Sequence, residues 1–332
     1  MPDQADPRLL FQQLRPYRQP DGRRSAFELI VTAALFALSW LSLYAALRAG
    51  YMAGLLLAVP AGGFLLRLFL IQHDCGHGAF FRRAASNDWV GRILGVLTLT
   101  PFDDWRRSHA AHHAGTGNLD ARGTGDIDTL TVREFRSRSP FRRFLYRLYR
   151  NPLVLFGLGP AYQFLLRHRL PIGMKGHGWR PWASTFGTNA GILILVSAIS
   201  WAIGLKLFLL VHLPIAIVAA TLGMWLFYVQ HQFERTEWDR GGEWSFHRAA
   251  LFGSSHYALP PLLRWFSANI GIHHVHHLAS RIPFYRLDEA MRELPALATV
   301  NRVGIRDSLR AVPLALWDEE QRRLVSFREA RA

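Results

Sequence analysis

Three histidine clusters carry most of the chemistry this chain can perform: His73-Asp74-Cys75-Gly76-His77, His109-Ala110-Ala111-His112-His113 and His273-His274-Val275-His276-His277. Residues at i and i+4, or at i, i+3 and i+4, project from one face of a helix, so each cluster can aim two or three imidazoles at one point. With 15 histidines in 332 residues, one His-x-x-His-His pattern is expected by accident on the order of 0.03 times per chain. Two such patterns plus a His-x-x-x-His therefore read as metal ligands: His73, His77, His109, His112, His113, His273, His276 and His277. Imidazole donors suit first-row transition metals. Zinc, copper and iron all remain open on donor type, but a structural zinc takes four ligands, and this many histidines match two metals better.

His231, in Tyr228-Val229-Gln230-His231-Gln232-Phe233-Glu234, is a ninth candidate. Asp74, Asp103, Asp104, Asp126 and Glu234 are candidates to hold imidazole N–H groups in orientation. His274 faces away from its neighbours on a helix and is expected to support the ligands or meet solvent. His212 is expected to pack within an apolar helix, and His168, His177 and His247 to lie at surfaces or interfaces. His256 either lines the site or serves its loop. Cys75, the single cysteine, excludes an internal disulfide and a multi-cysteine metal site; it reads as a small packed residue. No catalytic residue beyond the metal ligands is expected. The glycine-rich run 115–125 is not a phosphate loop, because no Gly-Lys-Ser/Thr follows it.

The elements that position these residues are membrane helices. Half of the chain is hydrophobic and only 19% is charged, against about 25% in a typical soluble domain. Mean hydropathy is +0.07 despite a net charge of +15, so apolar and charged residues are segregated into blocks. Four stretches approach the roughly 20 apolar residues that span a bilayer: Leu29–Leu47, Gly50–Ile71, Trp182–Leu205 and Leu207–Gln230. Very short connections pair them into two hairpins. Of the 39 basic residues only Arg48, Arg67 and Lys206 fall within the hairpins, and Arg67 is expected to snorkel toward the headgroups. Retention of positive charge on the cytoplasmic side then places the N-terminal arm (1–28), the region 72–181 and the region 231–332 in the cytoplasm, around transmembrane hairpins 29–71 and 182–230. All three histidine clusters fall on that one side. The fold class expected is an all-α integral membrane protein, four transmembrane helices as two hairpins with a cytoplasmic helical cap around a histidine-ligated dimetal site.

Val90–Phe102 and Pro152–Leu166 are too short or too broken to cross and read as interfacial. Thr131–Arg150 interleaves arginine with aromatics, which fits a helix on anionic lipid or a dock for an acidic redox partner better than a nucleic-acid surface. Asp318–Ala332 reads as an exposed helix or loose tail, and Met1–Arg24 contains no cleavable secretory signal.

Around His73-Asp-Cys-Gly-His-Gly-Ala-Phe-Phe81, His109-Ala-Ala-His-His-Ala-Gly-Thr-Gly-Asn-Leu-Asp120 and Asn269-Ile-Gly-Ile-His-His-Val-His-His-Leu-Ala-Ser-Arg-Ile-Pro-Phe-Tyr285, the chain resembles the membrane fatty acid desaturases, di-iron enzymes with three histidine boxes, and bacterial acyl-lipid desaturases in particular. The resemblance runs from about Leu29 to Glu293. It implies iron ligands at His73, His77, His109, His112, His113, His273, His276 and His277, with His231 matching the additional histidine after the fourth helix. It also implies two iron ions, O2 as co-substrate, and insertion of a cis double bond into the acyl chain of a membrane lipid, an acyl-CoA or an acyl carrier protein, in the inner membrane of a bacterium. With no fused cytochrome b5 segment and no cysteine set for an iron–sulfur cluster, an external donor such as ferredoxin, flavodoxin or cytochrome b5 is expected. A docking surface for it is expected at Arg142, Arg143 and Arg147. The alternatives are a related di-iron membrane hydroxylase or ketolase of alkyl or carotenoid substrates, and a metal transporter or sensor. The latter would need more ionisable residues along its helices than His212 and Arg67.

Overall fold

The computed structural model describes residues 6–123, 125–172 and 178–331. In chain order, α1 (Pro7–Gln13) precedes the long helix α2 (Gly22–Arg48). A 3-10 turn (Met52–Leu57) leads into α3 (Ala58–Gly76), followed by α4 (Ala84–Leu97) and α5 (Phe102–Gly115). Strand β1 (Leu130–Thr131), α6 (Val132–Ser137) and α7 (Pro140–Tyr149) come next, then a π-helical turn (Val154–Leu158) and α8 (Gly159–Leu165). Two further long helices follow, α9 (Arg180–Ile203) and α10 (Leu205–His231). The remainder is short: α11 (Phe246–Phe252), β2 (His256–Tyr257), α12 (Pro261–Phe266), α13 (His273–Leu278), α14 (Phe284–Glu293), α15 (Pro295–Ala298), β3 (Arg302–Val303), α16 (Ile305–Ala311), β4 (Leu314–Asp318) and β5 (Arg323–Ser326). Two compact units emerge. An apolar unit comprises Pro20–Arg107 and Gly157–Met224, and a histidine-rich unit comprises Met1–Gln19, Ser108–Phe156 and Trp225–Ala332.

In the apolar unit, α2 begins well before its uncharged stretch because the Asp21 carboxylate accepts the backbone N–H groups of Arg23 and Arg24 (2.8 and 3.1 Å), capping the first turn. Four segments are long and apolar enough to cross a membrane: Gly22–Arg48, Met52–Gly76, Arg180–Ile203 and Leu205–His231. Leu43 of α2 packs with Ala58, Ala61 and Leu65 of α3, and Val211 and Ile215 of α10 complete this core. The approach of α3 to α10 depends on Gly62, where a Cβ would lie 2.5 Å from Val218 Cγ1; small residues of this kind let membrane helices close on one another. The α4 and α8 helices, with 14 and 7 residues, fall short of the roughly 20 needed to cross.

Arg67 does not snorkel. It is 2% exposed, and its Nη2 donates to Glu28 Oε2 at 2.6 Å while Nε donates to Thr32 Oγ1 at 3.2 Å. Glu28 also meets Arg24 (2.6 Å). An apolar helix tolerates a buried guanidinium when the facing helix supplies the carboxylate, and Glu28 lay just outside the stretch read as membrane.

To the helices the histidine-rich unit adds two small sheets that the sequence reading did not anticipate, β1-β4-β5 and β2-β3. Strand β4 pairs parallel to β1 and antiparallel to β5. Leu130, Phe135, Tyr146, Leu316 and Val325 form one core, and Leu119, Trp238, Trp317 and Leu324 another. The chain end is therefore no exposed helix or loose tail: β5 buries Leu324 and Val325, and the charged run that suggested a tail is the hairpin turn, with Arg322 at φ +49°.

Helix α7 is two-faced. Tyr146 turns inward, its hydroxyl donating to Ala315 O (2.7 Å) and accepting from Leu130 N–H (3.1 Å). Phe141, Phe144, Leu145 and Leu148 stay exposed, the pattern of a helix lying in a membrane interface. Arg147 lies over the Phe135 and Phe327 rings.

Candidate metal centre

Seven of the nine candidate histidines lie in the histidine-rich unit. His112 on α5, His231 at the end of α10, and His273 and His277 on α13 bring ligand nitrogens within 4.8 Å of one another; so do His109 and His113 on α5 with His276 on α13. The two groups share one construction. His231 Nε2 is 3.2 Å from His112 Nε2 and 3.0 Å from His273 Nε2, and His113 Nε2 is 3.1 Å from His109 Nε2 and 3.2 Å from His276 Nε2.

Local backbone features produce this geometry. Gly125 sits at φ +75°, and a Cβ there would meet Ser108 O at 3.1 Å and His112 Cβ at 3.2 Å, so the loop after the second box closes on α5. That closure delivers Asp126 to His112 Nδ1 in a short contact. The six-residue α13 has no side-chain cap; instead Ser255 O accepts from both His273 N–H and His274 N–H (3.1 and 3.2 Å).

These residues fit a metal. With Asp126 accepting from Nδ1–H, Nε2 is the His112 atom left to meet a metal, and it faces His231. Three Nε2 atoms meeting within each group cannot all be satisfied by one shared hydrogen. Imidazole nitrogens bound to a common ion at about 2.1 Å lie roughly 3.0–3.4 Å apart, taking the zinc–imidazole length as a guide. His277 is 2% exposed, and neither ring nitrogen has a hydrogen-bond partner among the described residues, a costly state for buried polar atoms that a coordinated cation relieves. Burial, reinforced by the imidazoles around it, holds the His277 pKa well below the ordinary value; this keeps it in the neutral, metal-binding form.

His73 and His77 belong to the apolar unit, at the end of α3, with ring centroids 4.7 Å apart. His73 Nδ1 lies 3.3 Å from Asp74 Oδ1, and the Trp105 ring packs on it at 5.8 Å. The adjoining Gln72 is fully buried and accepts from Thr98 Oγ1 (2.6 Å).

The remaining candidates separate. Asp103 binds Arg92 and Arg106, Asp104 lies 3.8 Å from Arg107, and Glu234 is exposed. His274 is fully buried, not solvated; its Nε2 meets Leu297 O (3.0 Å), and burial pushes its pKa down to about 3. His256 sits 5.7 Å from the His274 ring. His212 stacks on Phe208, His247 packs edge-on with Phe11, and Cys75 is buried. His168 is half-buried against Gln163 and Phe164, and burial pushes its pKa down to about 4. His177 lies outside the described residues.

Two features escaped the sequence reading. The Phe227 ring packs on His112 and His231 (5.2 and 5.3 Å); its place one turn before His231 was the available signal. Arg150, Gln232 and Thr129 form a buried polar ring with no sequence signature, since Arg150 is one of many arginines in its segment.

Four helices long and apolar enough to cross a membrane, together with histidine groups able to hold metal, are the features of a membrane-associated metal-binding protein. The profile of the fatty acid desaturase family matches residues 49–308. The chain is 42% identical over 319 residues, 96% of its length and 90% of the relative's, to a fatty acid desaturase of Bacillus subtilis (strain 168). It is 28% identical over 236 residues to the sn-1 acyl-lipid omega-3 desaturase (ferredoxin) of Synechocystis sp., covering 69% of this chain and 64% of that one. With the acyl-lipid omega-3 desaturase (cytochrome b5) of the endoplasmic reticulum of Arabidopsis thaliana the identity is 30% over 254 residues, 70% of this chain and 61% of that one. The chain belongs to the fatty acid desaturase family.

Proposed function

We propose that this desaturase inserts a cis double bond into the acyl chain of a membrane lipid in an O2-dependent reaction, with two iron ions held by His73, His77, His109, His112, His113, His231, His273, His276 and His277. The observation that carries the reading is the pair of three-nitrogen Nε2 contacts in the histidine-rich unit. His73 and His77 join the set on the strength of the first histidine box. Bound iron would supply the O2 chemistry that breaks unactivated C–H bonds. The chain's own residues do the rest: Asp126 orients the His112 ring, and burial favours the neutral form of His277. Phe227 places an apolar ring against two of the imidazoles, which favours a methylene chain and disfavours water.

Hairpins 29–71 and 182–230 are assigned to a bacterial inner membrane, with regions 1–28, 72–181 and 231–332 cytoplasmic, on the positive-inside rule. Two electrons per turnover come from an external carrier. Relatives named for ferredoxin and for cytochrome b5 support a protein donor of that kind, and flavodoxin is a third option. The exposed Arg142 and half-buried Arg143 on α7 are its proposed dock.

The test is mass spectrometry of fatty acid methyl esters from a desaturase-poor bacterial host expressing wild type or His112→Ala. A new ester two hydrogens lighter, seen with wild type alone, is expected. An ester one oxygen heavier would overturn desaturation in favour of hydroxylation.

A further inference from the structure

Arg150 closes α7 and is 5% exposed. Its Nη2 donates to Gln232 Oε1 (3.0 Å) and to the carbonyl of Leu314 (2.8 Å). Nη1 points to the carbonyl of Asp128 and to Thr129 Oγ1 (both 3.4 Å). Gln232 Nε2 donates to the same Thr129 oxygen at 3.0 Å, closing a ring of three side chains. The guanidinium carbon also stands 5.7 Å from the Tyr228 ring centroid. All these acceptors are neutral. Burying a guanidinium without an anion is expensive, and nonpolar packing of the same volume would hold three segments together at lower cost. The ring's value therefore lies in the directions it fixes.

Those directions converge on the histidines. Gln232 follows His231 directly, and its N–H bonds back to Tyr228 O (2.7 Å), so anchoring its side chain sets the rotation of the last turn of α10. Thr129 lies three residues after Asp126, and its hydroxyl donates to Ile127 O (3.0 Å). The ring thus ties the backbone bearing His231 to the backbone bearing the carboxylate that orients His112. The Nε2 atoms of those two imidazoles are 3.2 Å apart.

We propose that Arg150 is a positioning residue for one half of the metal centre, holding His112 and His231 in mutual register through Thr129 and Gln232 without touching either imidazole. This deepens the dimetal reading and rests on it. The ring's hydrogen bonds reach the backbone beside His231 and the loop that carries Asp126, both serving the group of His112, His231, His273 and His277. The metal position of that group therefore responds to Arg150 more strongly than the other, which feels it only through contacts between the groups such as the His113–His277 stack.

The experiment is anaerobic titration of the full-length, detergent-purified, metal-free protein with ferrous or cobaltous ion, resolving two equivalents per chain, beside the thermal unfolding midpoint. Arg150→Lys keeps the charge and loses the two-pronged geometry. Its affinity for one equivalent is expected to fall about 10- to 100-fold, the usual effect of removing a group that orients a ligand, while the other equivalent falls clearly less. Thr129→Val removes the oxygen shared by Arg150 and Gln232 and is expected to weaken the same equivalent. Equal weakening of both equivalents in step with the unfolding midpoint would overturn the proposal in favour of general loosening, and no weakening of either would overturn it outright. A wild type that takes up no metal would instead refute the dimetal reading, and the proposal with it.

Discussion

His113 and His277 stack face to face, ring centroids 4.0 Å apart and planes 9° from parallel. Each belongs to a different histidine group of the same unit, so this contact couples the two. His277→Gln keeps much of the ring's volume and removes its nitrogens; it is expected to lower bound metal by one equivalent per chain. His277→Ala also removes the surface on which His113 rests and is expected to lower it further. Metal analysis of both purified variants checks this, and equal ratios would exclude the coupling.

Asp126 is the carboxylate that reaches His112. Asp126→Ala should leave the imidazole free to turn or change tautomer, with a loss of about 10- to 100-fold in metal affinity or turnover. Chelator competition on the purified protein measures the first, and product yield per chain the second.

Glu28 is expected to matter through charge burial. Glu28→Ala strands Arg67 away from its carboxylate and should cost about 3 kcal/mol or more. The double variant Glu28→Ala/Arg67→Leu should recover part of that loss, since no guanidinium is then left to bury. Thermal unfolding in one detergent compares the two; a double variant less stable than Glu28→Ala would contradict the account.

His168 gives a pH dependence with a definite sign. Its folded pKa, about 4, lies below the ordinary histidine value, so the unfolded chain binds the extra proton first. Stability from this residue is complete above about pH 6.5 and declines as pH falls toward 4. His168→Gln should flatten the unfolding midpoint across that window relative to wild type.

Charge reversal at Arg142 and Arg143 should slow turnover with a protein donor and weaken its salt dependence. Arg147 is omitted because it packs over two aromatic rings. Rates unchanged across a salt series would exclude this surface as the dock.

The convergence of the histidines was legible in the sequence because residues of one type at helical spacing share a helix face, and periodicity shows that directly. The four long helices were legible because apolar blocks need no partner to be recognised. What escaped reading depended on partners distant in sequence. Arg67 is a snorkelling residue or a buried one depending on Glu28, which is 39 positions away. The terminal hairpin needed β1 to reveal β4 as a strand. Asp126 stood out among five carboxylates only once Gly125 was seen to fold its loop onto α5.

The exposed Phe141, Phe144, Leu145 and Leu148 of α7 bear on any attempt to dissect the enzyme. They lie in the unit that carries seven of the nine proposed ligands, outside every segment long enough to span a bilayer. Deleting the hairpins would therefore not yield a water-soluble catalytic fragment: the remaining piece would still present a greasy helix face and would aggregate or return to lipid unless those four side chains were also made polar.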